Sequence, residues 1–184
     1  MSDPIRVDRI PAALGEPAGW TGTLGMTFLP GKRGRGRTAI HDRDLERDLG
    51  DLRERWETDT LVLLPEPHEL ARWKVPGIVA AAEEAGIAVR GYPVVDVDLP
   101  ADRVSYRALL DALHGELRAG RSVVVACVGG LGRTGTLVGC LLRDAGLTAD
   151  AAVAAVRAAR PGTIETAAQV RYVHEWPARL PGAG

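Results

Sequence analysis

A run of β-branched residues that breaks into a glycine-rich turn and re-emerges with helical spacing constrains this chain more than any other feature. The stretch VVVACVGGLGRTGTLVG, Val123 to Gly139, opens on Val123, Val124 and Val125 and then passes through five residues, Val128 to Gly132, of which three are glycine. Such a pattern reads as a buried strand, a tight loop and a helix. Inside the turn, Cys127 and Arg133 are separated by those five residues, and Thr134 follows directly.

That spacing has a chemical meaning. A glycine-rich turn at a helix N-terminus lets successive backbone N–H groups point into one concavity, which the helix dipole makes attractive to an anion. Amides and a guanidinium beside a thiol favour thiolate over thiol, so a cysteine at the floor of such a turn is a candidate nucleophile. Arg133 offers a planar fork of donors matched to two phosphate oxygens, which a lysine cannot reproduce. The segment Val128, Gly129, Gly130, Leu131, Gly132 and Arg133 therefore reads as a phosphate cradle. The Thr134 hydroxyl is placed to donate to the sulfur and ease its departure in a second step.

Two other readings compete. A cysteine at the end of a buried strand is often only a small hydrophobe, but that leaves the arginine and the glycines unaccounted for. Gly130, Gly132 and Gly135 also spell G-x-G-x-x-G, the dinucleotide fingerprint. That motif should open a βαβ unit with an acidic residue ending the next strand, roughly 20 residues on. A helix, Gly146 and a second alanine-rich helix follow instead, so the fingerprint fails on context.

The pattern C-x-x-G-x-x-R-[S/T], met at Cys127, Gly130, Arg133 and Thr134, resembles the signature loop of the protein tyrosine and dual-specificity phosphatases. The fuller GGLGRTG run is most similar to the cyclin-dependent-kinase-associated phosphatases and their bacterial relatives. The LPGK and KVPGIVAAAEEAGI stretches are similar to segments at corresponding places in that subfamily, so the resemblance extends from about Leu24 to Leu180. One departure stands out. The family usually has a histidine just before the cysteine, and this chain has Ala126.

The resemblance implies a general acid, an aspartate in a P-x-x-D segment ahead of the cysteine. Asp96 in Pro93-Val-Val-Asp96 matches it, with Asp98 the fallback. Chemistry asks for the same group, since transfer of a phosphoryl group to sulfur needs an acid for the leaving oxygen and later a base for water. The I-E-T-x-x-Q run is similar to a loop that orients the hydrolytic water in classical tyrosine phosphatases. Gln169 matches its second glutamine and Glu165 stands where the first would be; N-terminal capping of the last helix is the competing role for both.

The chain has 184 residues, 46% of them hydrophobic, and a net charge of −1. That length fits one domain with a proper core, and the near-neutral charge argues against a dedicated nucleic-acid binder. With only Cys127 and Cys140 present, a disulfide framework is excluded and a reducing compartment is favoured. No secretory leader opens the chain and no apolar run approaches about 18 residues, so a cytoplasmic protein without a membrane span is expected.

In chain order, residues 1–20 read as a poorly ordered lead-in and 21–184 as a single cysteine-dependent phosphatase domain. Thr23 to Leu29 suggests an edge strand, and Pro30 to Arg37 a solvated loop that packs four cations among glycines, with a reach toward a phosphorylated partner as the alternative. An amphipathic helix over Asp42 to Trp56, a strand over Thr60 to Leu64, the PEPHEL loop and a helix from about Pro76 to Gly86 follow. His68 in that loop reads as incidental. Ile87 to Val95 is the next strand, Asp102 caps a helix over Arg103 to Ala119, and Arg121 to Ala126 delivers Cys127. The helix from Arg133 to Asp144 carries Leu137, Cys140 and Leu141 to the core; a role for Cys140 as a resolving thiol is the lesser reading. Thr148 caps a helix that ends at Pro161-Gly162, and a terminal helix holds Tyr172 and Trp176.

The expected fold is three-layer α/β, with a mostly parallel central sheet of four or five strands, helices on both faces, and the nucleophile loop at the C-terminal edge of a middle strand. The expected reaction is hydrolysis of a phosphate monoester through a cysteinyl-phosphate, with no metal and no cofactor. The resemblance implies a phosphorylated protein as substrate, with a small phosphorylated metabolite or nucleotide as the alternative and a catalytically inert phosphoprotein-binding module as a further one. No nucleic-acid or membrane partner is expected; a monomer is the simpler assembly.

Overall fold

The computed structural model describes residues 3–36 and 39–177. Arg37 of the basic segment and the end of the resemblance at Leu180 lie outside the described residues. A five-stranded sheet in the order β1-β2-β7-β5-β6 forms the middle layer. Its strands are β1 (Asp8–Arg9), β2 (Leu24–Phe28), β5 (Thr60–Leu63), β6 (Ala88–Gly91) and β7 (Val123–Cys127). All neighbours run parallel except β1, which pairs antiparallel with β2. A separate two-stranded ribbon pairs β3 (Arg33–Arg35), in the basic segment, with β4 (Ile40–Asp42) just after it. Helices α1 (Leu45–Glu54) and α3 (Ile78–Glu84) cover one face of the sheet. The other face carries α4 (Arg103–Arg118), α5 (Gly132–Asp144), α6 (Ala149–Ala159) and α7 (Ala167–Glu175). The short α2 (Pro67–Arg72) follows β5.

Alternation along the strands explains the layering. Side chains two apart share a face, so Val123, Val125 and Cys127 join the core under α4 to α7, while Val124 and Ala126 join the core under α1 and α3. β5 splits likewise, Val62 and Leu64 one way and Leu61 and Leu63 the other. Because β7 is central and covered on both sides, its five residues are all buried. The mid-sheet strand thus ends at Cys127 on the edge where parallel α/β sheets gather their functional groups.

Several local expectations differ from what is found. Thr23 to Leu29 is not an edge strand, since β2 is flanked by β7 and by β1. The strand that covers it comes from the segment expected to be a lead-in, where Ile5, Val7, Ile10 and Trp20 are all buried. Its apolar residues alternate with Arg6, Asp8 and Arg9 over too short a run to show a period, and their anchoring is tertiary: the Trp56 indole donates to the Ile5 carbonyl and the Trp20 indole to His114 Nδ1. PEPHEL is a capped helix start, not a loop. The strand expected over Ile87 to Val95 pairs with β5 only as far as Gly91. Beyond it the amides of Tyr92 and Val94 still reach the carbonyls of Leu63 and Leu64, and this leads the chain along the sheet's C-terminal edge to Asp96. Asp102 caps α4, accepting from the amides of Val104 and Ser105, and Thr148 caps α6, as the sequence implies.

Helix α5, which begins at the cradle, is fixed at its far end by Asp144. This carboxylate is buried and accepts from Arg107 on α4 and from the Trp176 indole after α7, with His114 Nε2 3.6 Å away. Burial works against its ionisation, yet the nearby His114 ring together with the Arg107 and Trp176 hydrogen bonds holds its carboxyl below the usual range. A depressed carboxyl contributes stability above its unfolded value, near 3.9, and loses it as pH falls through the folded value. Asp144→Ala, which strands the Arg107 charge, should lower unfolding free energy at pH 7 by about 3–5 kcal/mol. In urea titrations the gap between the two proteins should narrow below pH about 4; a gap constant from pH 7 to pH 3 contradicts this account.

Candidate active site

The loop after β7 is built by turning its carbonyls outward. Val128 O accepts from the Leu29 amide and from Lys32 Nζ (3.3 and 3.2 Å), and Gly129 O from Arg160 Nη2 (3.1 Å). Leu131 O takes the amides of Gly135 and Ile164, and Gly132 O the Thr136 hydroxyl. With the carbonyls so engaged, the amides on the opposite side of each peptide face inward. The Gly130 amide donates to Cys127 Sγ at 3.2 Å. Those of Gly129, Leu131, Gly132 and Arg133 meet no acceptor among the described residues, and the last two open α5, where amides are unpaired by construction. The arrangement is an anion nest at a helix N-terminus with a thiol at its floor.

Gly130 is required sterically, and Gly132 leaves room for two side-chain ends. Gly130 has φ +69°, and a Cβ there would lie 2.3 Å from the Thr27 carbonyl oxygen. A Cβ on Gly132 would stand 2.6 Å from Glu165 Oε2 and 2.8 Å from Gln169 Nε2. Both of these side-chain ends therefore lie against the loop at Gly132.

Arg133 is buried, and its two terminal nitrogens are fully used. Nη1 donates to Glu69 Oε2 (2.6 Å) and to Val94 O (2.8 Å), and Nη2 to Glu69 Oε1 at 2.9 Å. Asp96 Oδ1 lies 2.8 Å from Nη2, with its side chain 67% exposed. Burial alone weakens the guanidinium's hold on its proton, but the Glu69 bonds and the charges of Cys127, Glu69 and Asp96 outweigh it and push its pKa up. For Glu69, burial opposes ionisation, while the Arg133 bonds, the Glu66 amide and nearby charge hold its carboxyl below the usual range.

Thr134 Oγ1 is buried in the first turn of α5 and has no hydrogen-bond partner among the described residues. Asp98 accepts from the amide of Leu99 in its own loop and does not join the cluster. Gln169 Oε1 takes the amides of Glu165 and Thr166, and its own amide donates to Thr166 Oγ1, the reciprocal capping of α7 that the sequence allowed. Those two donors fix the side-chain orientation, so the buried, unpartnered Nε2 is the end that faces Gly132. Arg157 holds this stretch by donating to the carbonyls of Thr163 and Ile164. His68 is exposed beside Glu66, and Cys140 lies in the core, where burial, with Asp144 adding to it, pushes its thiol well up.

Comparison with known proteins decides the family. The family model described as "Cyclin-dependent kinase inhibitor 3 (CDKN3)" matches residues 4–153. The chain belongs to the CDKN3 family. It is 28% identical over 160 residues to cyclin-dependent kinase inhibitor 3 of Rattus norvegicus, which covers 85% of this chain and 73% of that protein. Its fold is that of kinase-associated phosphatase solved with the catalytic-site cysteine replaced by serine, at TM-score 0.83, 24% identity and 95% coverage of both chains. The active form of Tk-PTP superposes at TM-score 0.69 with 28% identity, over 86% of this chain and 94% of that one. This CDKN3-family chain is a cysteine-dependent phosphatase of the tyrosine and dual-specificity superfamily.

Two residues of the site in this CDKN3-family chain escaped sequence reasoning. Glu69 was legible in part, because Glu66-Pro67-His68-Glu69 is a capping-box spacing with proline in the first turn, and Glu69 Oε2 indeed accepts from the Glu66 amide. Lys32 stands among cations that the sequence reads as solvated, yet it is only 6% exposed. Nothing in its spacing among glycines separates it from Arg33 or Arg35. Gly130→Ala tests the loop geometry: the added Cβ must displace either the loop or β2. Vanadate affinity measured by calorimetry should fall at least tenfold, with stability lowered by about 1–3 kcal/mol; unchanged affinity contradicts the steric account.

Proposed function

We propose that this phosphatase acts on phosphorylated proteins through a cysteinyl-phosphate intermediate formed on Cys127. The observation that carries this is the juxtaposition of Cys127 Sγ, inward-facing amides and a buried arginine fork with the Asp96 carboxylate at its rim. Cys127 attacks phosphorus, the bond from phosphorus to the ester oxygen breaks, and Asp96 gives that oxygen a proton. Loop amides from Val128 to Gly132 and Arg133 hold the remaining oxygens. Water then attacks phosphorus from the leaving-group side, gives its proton to Asp96, and releases sulfur with the Thr134 hydroxyl as its donor. Gln169 Nε2, with Glu165 beside it, orients that water.

A phosphoprotein substrate is supported by the names of the relatives, which refer to kinases. A small phosphorylated metabolite or nucleotide is the competing substrate. Among the described residues no helix is long and apolar enough to cross a membrane, and a cytoplasmic setting belongs to the same proposal.

Hydrolysis of p-nitrophenyl phosphate without added metal, by wild type and by Cys127→Ser, tests the chemistry. Turnover should vanish in the variant; equal turnover in both defeats the cysteine mechanism, and absent turnover with vanadate still bound favours the binding module.

The position of Asp96 makes a second test. A phosphate that uses Arg133 Nη2 must displace this carboxylate, so Asp96→Asn should lower kcat by about 10²–10⁴ and flatten the alkaline limb of the rate profile. The same change should tighten vanadate binding roughly two- to fivefold, the equivalent of an exposed ion pair of about 0.5–1 kcal/mol. A variant that loses turnover and vanadate affinity together contradicts this arrangement.

A further inference from the structure

The cations around the cradle are nearly all matched by carboxylates. Arg133 has Glu69 and Asp96, Arg160 has Asp8, Arg43 has Asp48, and Arg33 has Asp44 and Asp42. Among the described residues beside the loop, Lys32 is the buried exception: its ammonium donates to Val128 O, the carbonyl next to Cys127, and to no carboxylate. Its ammonium lies 4.8 Å from the Phe28 ring centroid and 5.8 Å from that of Trp73. Aromatic faces attract a cation but do not neutralise it. An unpaired buried ammonium is costly, and it persists where an anion completes it.

We propose that Lys32 is the fixed counter-charge of the nucleophile loop, a positioning residue that tethers Val128 and stabilises negative charge on Cys127. This deepens the phosphatase reading and rests on it. Ala126, the residue before the nucleophile, packs in the cluster that contains Leu29 and Trp73 with Phe28 and Val128 against it, and offers no donor of its own. Lys32 brings its charge to that same neighbourhood from just past the C-terminal end of β2, the end that pairs with Cys127. Burial, first of all, lowers its pKa to about 8; Cys127 acts in the opposite direction, and Arg160 and Arg43 reinforce the lowering. The charged and titratable groups around it are thus Cys127, Arg160 with its partner Asp8, Arg43 with its partner Asp48, and His41 and Asp42 in the shared cavity. Of these, Cys127 is the group whose negative charge Lys32 senses.

Two variants separate tether from charge. Lys32→Gln keeps a donor for Val128 O without charge, and Lys32→Arg keeps the charge. The rate of Cys127 alkylation by neutral iodoacetamide, site-resolved by mass and followed from pH 4 to pH 9, reads the thiolate without requiring turnover. For Lys32→Gln the midpoint should move up by about half to one pH unit, so that alkylation on the acidic side of the wild-type midpoint slows about three- to tenfold. Lys32→Arg should stay within about twofold of wild type. In urea at pH 7, Lys32→Gln should unfold no more readily than wild type, since removing an unpaired buried charge does not weaken the fold. An unmoved midpoint in Lys32→Gln overturns the proposal, as does an arginine variant as impaired as the glutamine one. Failure of the phosphatase reading would appear separately, as wild-type protein that alkylates normally but turns over no p-nitrophenyl phosphate.

Discussion

Everything the site can do depends on the loop's carbonyls being satisfied from outside. A peptide presents its N–H and C=O on opposite edges, so amides converge on an anion only if the carbonyls find donors elsewhere. Here those donors come from β2's continuation through Leu29 and Lys32, from the end of α6 through Arg160, and from the turn before α7 through Ile164. Three elements far apart in sequence therefore define one loop. Ile164 adopts φ +55°, an unfavourable backbone for a β-branched residue, and it is held there by the Leu131 carbonyl and by burial in the core. That local strain sets Glu165 and Gln169 against Gly132.

Arg133 and Asp96 divide the site into a rigid and a movable part. The Glu69 pairing is bidentate and buried, which fixes the guanidinium plane before any ligand arrives. Asp96 sits on the opposite kind of support. Its loop exposes Val95 and Val97, is closed by an Asp98 amide bond to the Val95 carbonyl, and holds Val97 at φ +64°. A β-branched residue in that region stores about 1–3 kcal/mol. A weakly packed and strained loop can exchange one carboxylate position for another, which suits the proposed role of Asp96 as an acid that approaches first a leaving group and then a water.

The central features were legible because they are local. A β-branched strand, glycines at fixed offsets, a cysteine and an arginine announce a strand–loop–helix cradle whatever surrounds it, and Asp102 and Thr148 announce their helices by capping chemistry. What was hidden is tertiary. Ile5, Val7 and Ile10 lie among prolines and charges with too few residues to show a period, so only the uncovered edge of β2 explains why they are buried. The capping-box spacing announces Glu69 as a helix-start residue but not its pairing with Arg133, which lies 64 positions away. Lys32 shares its composition with solvated neighbours and differs from them only in where Trp73 and Phe28 fall.

Lys32 also sets a sign for the fold's response to pH. Its folded value near 8 is below the ordinary 10.5, so between those limits the unfolded chain binds more protons and stability rises with pH. Below about pH 8 the folded protein carries an ammonium that it would be more stable without. Asp144 acts in the reverse sense, adding stability at neutral pH through paired charge. The scaffold end of α5 thus holds its buried charge in neutral combination, while at the cradle end the buried side chains Arg133 and Lys32 face one buried carboxylate, Glu69, an asymmetry that suits the anion-binding role proposed for that end.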